Sequence, residues 1–341
     1  MTKTAVVILN WNGRGFLEQF LPGVLQHSAG AEVIVADNAS TDDSVPWLRA
    51  NFPGLRIVQN EVNGGYAKGY NDALKRIEAE YYVLLNSDIE VTPGWLEPVI
   101  ALMDKDAAIA GCQPKLRAFH QRDQFEYAGA AGGFIDKWGF PFCRGRIFDT
   151  YEKDEGQYDD TCEIFWATGA CLFIRAKDYH EAGGLDEDFF AHMEEIDLCW
   201  RLKNTGRKIM YCSSSIVYHV GGGTLAKSSP RKTYLNFRNN LTLLLKNHAP
   251  GFFALKIFLR LVLDGIAGAK FLFSGDAPHC LAVLKAHGSF YRHLGRDLRK
   301  RRAMKKKIAQ YTGSAVYRGC IVYDYYAKGK KKFSMLEKEK F

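Results

Sequence analysis

No C-x-x-C pair occurs among the eight cysteines of this 341-residue sequence, which stand at positions 112, 143, 162, 171, 199, 212, 280 and 320. They show no zinc spacing, and several lie inside apolar runs where free thiols pack as small hydrophobes, so a reduced cytosolic compartment is expected. The stretch NGGYAKGYNDAL contains neither G-x-G-x-x-G nor G-K-S/T. The dinucleotide fingerprint and the phosphate loop are therefore missing, and dehydrogenase and P-loop kinase readings fall with them. The opening MTKTAVVILNWNG has an apolar run too short and too soon interrupted for a signal peptide or a membrane span; it reads as a first strand.

What is present is an ordinary globular composition, 47% hydrophobic and 25% charged, long enough for one large domain plus an appendage or for two domains. The net charge of +8 is uneven. RDLRKRRAMKKK (296–307) holds eight basic residues against one acid, and KGKKK follows at 328–332. Such runs suit nucleic acid or an anionic membrane surface, and no nucleic-acid-binding fold motif accompanies them, so no nucleic-acid partner is expected. Before them comes the nearly apolar stretch 252–273, whose Lys256, Arg260, Asp264 and Lys270 fall within about a 120° arc of a helical wheel. Four charges argue against a span. An amphipathic helix lying in the membrane interface, followed by a polybasic segment, is expected; the competing expectation is a helix packed on the catalytic domain with a solvated tail.

The first hundred residues alternate strand and helix. TAVVILN, EVIVADNAS, LRIVQN and YYVLLNSD read as strands, with helices near 15–27 and 67–79 and with Ser40 to Asp42 as the cap of another. This spacing predicts a parallel sheet with helices on both faces, whose ligands bind at the carboxyl ends of the strands. Asn10, Asp37, Asn38, Asn63 and Asp88 each follow an apolar strand by no more than a residue or two, so they are expected to line one crevice. Residues 108–160 read as loops and short strands over it, ending in an acid-rich loop, DTYEKDEGQYDD (149–160). Single acids and amides suit a nucleotide base and ribose. Asp88 is placed to hold a divalent cation, Mg2+ or Mn2+, which neutralises a departing diphosphate.

HMEEIDLCWRL (192–202) packs three carboxylates into four positions and then turns apolar. On a helix Glu194, Asp197 and Arg201 share one side, an acid-before-base order worth roughly 0.2–0.5 kcal/mol when exposed. That side needs no function. Glu195 lies instead on the face of Leu198, Cys199 and Leu202, which is expected to pack inward. A first-turn carboxylate stabilised by the helix dipole is the plain explanation.

The ordered segments VVILNWNG, VIVADNASTD, NGGYAKGYN, LLNSD, ATGACLFIR, EEIDLCWR and YH resemble the family 2 glycosyltransferases of the GT-A fold, and among them the rhamnosyltransferase-like bacterial members, over residues 3–245. The resemblance implies roles. Asp37 matches the acid that recognises the nucleotide base, Asn38 and Asn10 would line the same pocket, and Asn63 and Gly65 join them on the nucleotide sugar. Asp88 matches the last acid of a D-x-D type metal motif, with Asn86 at the first position, which leaves one carboxylate for the metal. His219 matches a residue that in some relatives completes the metal or diphosphate site. Glu195 matches the catalytic base, which deprotonates an acceptor hydroxyl as it attacks the anomeric carbon in an inverting transfer. Trp166 and Gly169 match an acceptor wall. Arg144, Arg146 and Arg238, with Arg231, Lys232 and Asn239, are candidates for diphosphate oxygens, which arginine forks fit.

The expectation is a GT-A catalytic domain over 1–225, with a nucleotide-sugar half (1–107) and an acceptor half (108–225), and a helical, amphipathic and basic extension over 226–341. Its sheet is expected to be mostly parallel. The expected activity moves a sugar from a nucleotide-diphosphate donor to a glycan on a polyprenyl diphosphate lipid, in cell-surface polysaccharide assembly. The expected place is cytoplasmic, peripheral on the inner face of the cell membrane. Two rivals remain. A sugar-nucleotide nucleotidyltransferase wants a basic residue and a glycine-rich signature after the first strand, where Asn10 and Trp11 stand; an inactive scaffold of a glycan-assembly complex would be expected to lose Asp88 or Glu195, and both are present.

Overall fold

A computed structural model of the chain describes residues 2–221, 229–251, 253–308 and 310–341. Strands β1 (Thr2–Asn10), β2 (Glu32–Asp37), β3 (Arg56–Gln59) and β4 (Ala79–Asn86) alternate with helices α1 (Arg14–His27), α2 (Ser44–Asn51) and α3 (Gly65–Leu74). β1 pairs in parallel with β2 and β4, and β2 with β3. Side chains alternate across a strand, so a sheet covered on both faces needs apolar residues at every position. β1 obeys this: Ala5 and Val7 pack with Tyr70 of α3, while Val6 and Ile8 pack with Leu17 and Leu21 of α1.

The second half departs from the expected pattern. It contains β5 (Ile89–Val91), α4 (Glu97–Lys105), β6 (Ile109–Ala118), β7 (Gly133–Asp136), β8 (Pro141–Cys143), β9 (Arg146–Ile147), β10 (Thr150–Tyr151), β11 (Cys162–Ile164), β12 (Cys171–Arg175), α5 (Ala176–Ala182), α6 (Glu194–Asn204) and β13 (Lys208–His219). β12 runs antiparallel between β4 and β6, and β13 pairs in parallel with β6 but antiparallel with β5 and β11. The main sheet is therefore mixed rather than mostly parallel. Parallel neighbours need a helical crossover, and between β6 and β12 the chain forms no helix but a small sheet, from which it re-enters reversed.

That small sheet has the order β10-β9-β8-β7-β14, its last strand, β14 (Val316–Tyr317), coming from the far end of the chain. The acids of 149–160 are not a plain solvated loop. Asp154 pairs with the buried Lys115 at 2.9 Å and with Arg117, and Asp160 pairs with Arg144 at 2.8 Å, so this segment is pinned by charge to β6 and to the turn between β8 and β9.

Helices α7 (Pro230–Asn247), α8 (Phe253–Phe273) and α9 (Ala277–Lys305) follow, and then α10 (Ile321–Tyr326). The expected boundary at 225/226 lies outside the described residues. Beyond α9 the chain returns to the small sheet, where Tyr317, Ile321, Tyr325 and Leu336 share a core with Phe134 and Phe142. The polybasic run is not simply a solvated tail either: it forms the end of α9, where Arg296 reaches Asp188, Lys300 reaches Asp186, and Arg301 donates to the carbonyls of Leu245 and His248. Among the described residues no helix is long and apolar enough to cross a membrane.

Candidate active site

A cavity of about 710 Å3 opens at the carboxyl ends of β1 and β4 and is closed by the start of α6. On the side of β2 and α3, Asn38 donates through Nδ2 to Asn63 Oδ1 (3.0 Å) and to the Gly65 carbonyl (3.1 Å), while its Oδ1 accepts from Asn60 (3.2 Å). Gly65 has φ +76°, and a Cβ there would stand 2.7 Å from the carbonyl oxygen of Phe190. Only glycine allows the backbones before α3 and α6 to meet so closely. Asn38, Asn63, Gly65 and Asp88 all line the cavity.

Asn10 and Asp37 do not. Asn10 Nδ2 donates to Asp37 Oδ1 (3.1 Å), Asp37 Oδ2 accepts from the Ser40 backbone (3.0 Å), and both residues are buried behind the wall. They tie the end of β1 to the turn after β2, and the residues that follow Asn10, Trp11 and Asn12, do reach the cavity. Sequence reading passed over Trp11, although an indole directly after a strand, 45% exposed at the cavity edge, was a signal for a stacking surface.

The floor is an acid–imidazole–acid row. His219, at the end of β13, stands with Nε2 3.2 Å from Asp88 Oδ1 and Nδ1 3.2 Å from Glu126 Oε1, and Asp88 also accepts from the Gly221 backbone at 3.2 Å. Burial alone would lower the imidazole, but the two carboxylates prevail and raise it to about 10. Glu126 was not selected from sequence. No strand pattern marks it, and it reaches His219 only because the segment after β6 folds back over the sheet.

The opposite wall carries two more acids. Glu194 and Glu195 both line the cavity, and each has an Oε2 atom with no hydrogen-bond partner among the described residues. Burial raises both carboxyls. Glu194 is lifted well above the usual carboxylate range, with the charges of Glu195 and Asp197 adding to burial; backbone N–H groups at the helix start offset part of the rise in both, and Glu195, raised by burial, comes to about 7. Two expectations need correction here. Glu194 is not on an idle outer face, and the Asp197–Arg201 pair, at 2.8 Å, is buried rather than exposed, because α7 covers that side with Lys246 and Asn247.

The loop entering α6 is held in an unusual backbone. Phe190, His192 and Met193 have φ of 65°, 70° and 75°, a left-handed region that costs non-glycine residues on the order of 1–3 kcal/mol each. Asn239 of α7 clamps it: Nδ2 faces the carbonyls of Phe189 (3.1 Å), Ala191 (2.9 Å) and His192 (2.7 Å).

The expected diphosphate arginines are engaged elsewhere. Arg238 donates to the carbonyls of Asp188 (3.0 Å) and Phe189 (2.8 Å), Arg146 to those of Phe148 and Tyr127, and Arg144 to Asp160 and the carbonyl of Ala131. None of the three lines the cavity; among the described residues the lysine and arginine side chains that do are Arg231 and Lys232, on the first turn of α7. Trp166 is also off the wall, since its Nε1 donates to the Phe134 carbonyl (2.9 Å) and its ring covers Gly133. Gly169 is on it, and its carbonyl accepts from Tyr66 Oη at 2.6 Å.

The sequence pattern of Glycosyl transferase family 2 matches residues 5–175, half of the chain. Rhamnosyltransferase WbbL of Escherichia coli (strain K12) is 32% identical over 226 residues, covering 63% of this chain and 82% of that protein. The N-acetylglucosaminyl-diphospho-decaprenol L-rhamnosyltransferase of Mycobacterium tuberculosis (strain ATCC 25618 / H37Rv) is 24% identical over 233 residues, 63% of this chain and 75% of the relative. Among solved structures, GalNAc-T7 with UDP, GalNAc and Mn2+ gives a TM-score of 0.55 at 17% identity over 72% of this chain, which spans about half (48%) of that one. Mannosyltransferase PcManGT from Pyrobaculum calidifontis, in complex with GDP-Man and Mn2+, gives 0.52 at 12% identity, covering 85% of this chain and 87% of that one. At these identities the structural likeness is one of fold.

Proposed function

The chain belongs to glycosyl transferase family 2, as a rhamnosyltransferase-like glycosyltransferase, and from that premise we propose that it transfers a sugar, with inversion, from a nucleotide-diphosphate donor to a glycan on a polyprenyl diphosphate lipid in cell-surface polysaccharide assembly. The observation that carries the reading is a pair of carboxyls, each with a buried oxygen that has no hydrogen-bond partner among the described residues, facing an acid–imidazole floor across one cavity. Family membership displaces the nucleotidyltransferase alternative.

In this reading the nucleotide lies along Asn38, Asn63 and the Gly65 turn, with Trp11 beside it, and Asn10 and Asp37 tie the ends of β1 and β2 together behind the wall. Glu195 takes the proton from the acceptor hydroxyl as its oxygen bonds to the anomeric carbon, and the bond from that carbon to the diphosphate oxygen breaks with its electron pair leaving on the nucleotide. Of the coupled pair Glu195 ionises first, because Glu194 stays protonated beside it. Arg231 and Lys232 stand where diphosphate charge would face the start of α7.

A divalent cation suits the floor. Asp88 presents a buried carboxylate to the cavity, whereas His219, raised to about 10 between Asp88 and Glu126, is held as an imidazolium and offers a metal no lone pair; among the described residues no group of three or more His, Cys, Asp or Glu could hold an ion. One carboxylate would fit Mg2+ or Mn2+ that takes its other oxygens from substrate phosphates and water, as such ions do more readily than in an all-protein site. When bound it supplies charge neutralisation for the departing diphosphate. The acceptor class is supported by the decaprenol-linked chemistry in the name of the Mycobacterium tuberculosis relative. A place at the cytoplasmic face of the membrane is supported by eight free thiols.

The test is a panel of UDP-, GDP- and dTDP-sugars offered with polyprenyl diphosphate acceptors, with and without a chelator. Transfer from one donor, lost on chelation and restored by Mg2+ or Mn2+, is expected. Donor hydrolysis without transfer from any of them would overturn the acceptor assignment.

A further inference from the structure

A surface helix normally turns its apolar side inward. α8 is reversed. Leu255, Phe258, Val262 and Ile266 fall within an arc of about 80° at the helical rotation per residue, and this side faces out, with Phe258 60% and Ile266 61% exposed. Arg260 and Asp264, on the other side, are 7% and 2% exposed. Arg260 Nε donates to Asp264 Oδ1 at 2.9 Å, its guanidinium lies 3.6 Å from the centre of the Phe140 ring, and Asp264 faces His287 of α9 at 3.5 Å. Of the four charges that made this helix look amphipathic, Arg260 and Asp264 are thus turned into the protein and matched there, Lys256 donates to the Lys137 carbonyl at 2.9 Å, and Lys270 is exposed.

α9 extends the pattern. Leu281 and Leu284 are exposed, and Arg292, Arg299 and Arg302, on the same arc of about 80°, are exposed further along. Within the basic run the inward members, Arg296, Lys300 and Arg301, are bonded to the protein, which leaves the outward ones free of those anchors. One helix face therefore passes from apolar to cationic along its length.

We infer that the outward faces of α8 and α9 lie in the interface of an anionic bilayer, Leu255 to Ile266 and Leu281 to Leu284 among the acyl chains and Arg299 and Arg302 against the headgroups. Two features select a bilayer over a second copy of the chain: a protein partner would meet unpaired cations beside an apolar stripe, whereas a lipid surface meets both with matching chemistry. Because no described helix is long and apolar enough to cross, the pair lies on the surface. This deepens the reading of a lipid-linked acceptor and rests on it for its purpose, while the docking itself can be measured without any acceptor.

The experiment is sedimentation of the full chain with phosphatidylcholine vesicles and with mixed phosphatidylcholine–phosphatidylglycerol vesicles, for the wild type, Phe258→Asp/Ile266→Asp and Arg299→Glu/Arg302→Glu. The wild type is expected to bind the mixed vesicles and to be released by salt. The aspartate pair should weaken binding about tenfold or more with Tm unchanged and with undiminished transfer to a short, water-soluble acceptor analogue. The glutamate pair should lose the preference for anionic lipid. Wild-type protein remaining in the supernatant with both vesicles overturns the inference, as does an aspartate pair that binds like the wild type, or a dimer in solution that this pair dissociates. Vesicle binding without transfer to any lipid acceptor upholds the surface and overturns the acceptor reading instead.

Discussion

Glu195 and Glu194 differ by one position and by environment. Burial lifts both and N–H groups at the start of α6 offset part of the rise in each, but the neighbouring charges of Glu195 and Asp197 push Glu194 further. A base must be ionised to work, so kcat/KM is expected to fall as pH drops below about 7 and to level off above it; a pH–rate profile at saturating donor checks this. The same shift has a stability consequence of opposite sense. Near pH 4 the carboxyl is protonated folded and unfolded. As pH rises from the usual 4.5 to about 7, the unfolded chain loses the proton before the folded one does, so the folded state loses stability across that window. Glu195→Gln should therefore raise Tm by a few degrees at about pH 8 and by less at about pH 5, measured by thermal melts at both. The inward face of Glu195 was readable from the spacing of Leu198, Cys199 and Leu202. The position of Glu194 was not, because burial of its side depends on the loop before α6 and on α7, which no local pattern encodes.

At the scale of elements, the strand ends were legible because a covered sheet must be apolar along its strands and turn polar where it stops. The loop 189–193 was not, since its backbone is imposed from outside by Asn239. Removing that clamp leaves the carbonyls of Ala191 and His192 without their donor, a loss on the order of 1–3 kcal/mol for a buried group, while the Phe189 carbonyl keeps Arg238. Asn239→Ala is expected to lower Tm by several degrees and kcat about tenfold or more, with donor KM little changed; steady-state kinetics against both substrates separates this from a donor-binding defect. Gly65→Ala tests the facing element. Its Cβ would meet the Phe190 carbonyl at a positive φ, so transfer and donor protection against thermal unfolding should both fall. Equal donor protection in wild type and Gly65→Ala would show that the close approach is dispensable.

For the molecule as a whole, the alternation of strand and helix disclosed the parallel half, and the ordered motifs disclosed the family. The mixed half was hidden because strand direction is set by distant partners, β12 between β4 and β6 and β11 beside β13, which no local pattern encodes. The direction of α8 was hidden for another reason: a wheel places charges on one side but cannot tell which side meets the protein. The return of Tyr317 to Leu336 into the core of Phe134 and Phe142 predicts that truncation after α9 exposes apolar surface and lowers solubility and Tm, which expression of residues 1–308 beside the full chain would measure.

The most direct test of the central claim is the transfer rate of Glu195→Gln beside wild type, with the preferred nucleotide sugar and a polyprenyl diphosphate acceptor, scoring product and its anomeric configuration. A loss of about 10² to 10⁴-fold, with a folded protein that still binds donor and with inverted product from the wild type, is the predicted result; a variant that transfers within about tenfold of wild type, or a wild-type product with retained configuration, would contradict it.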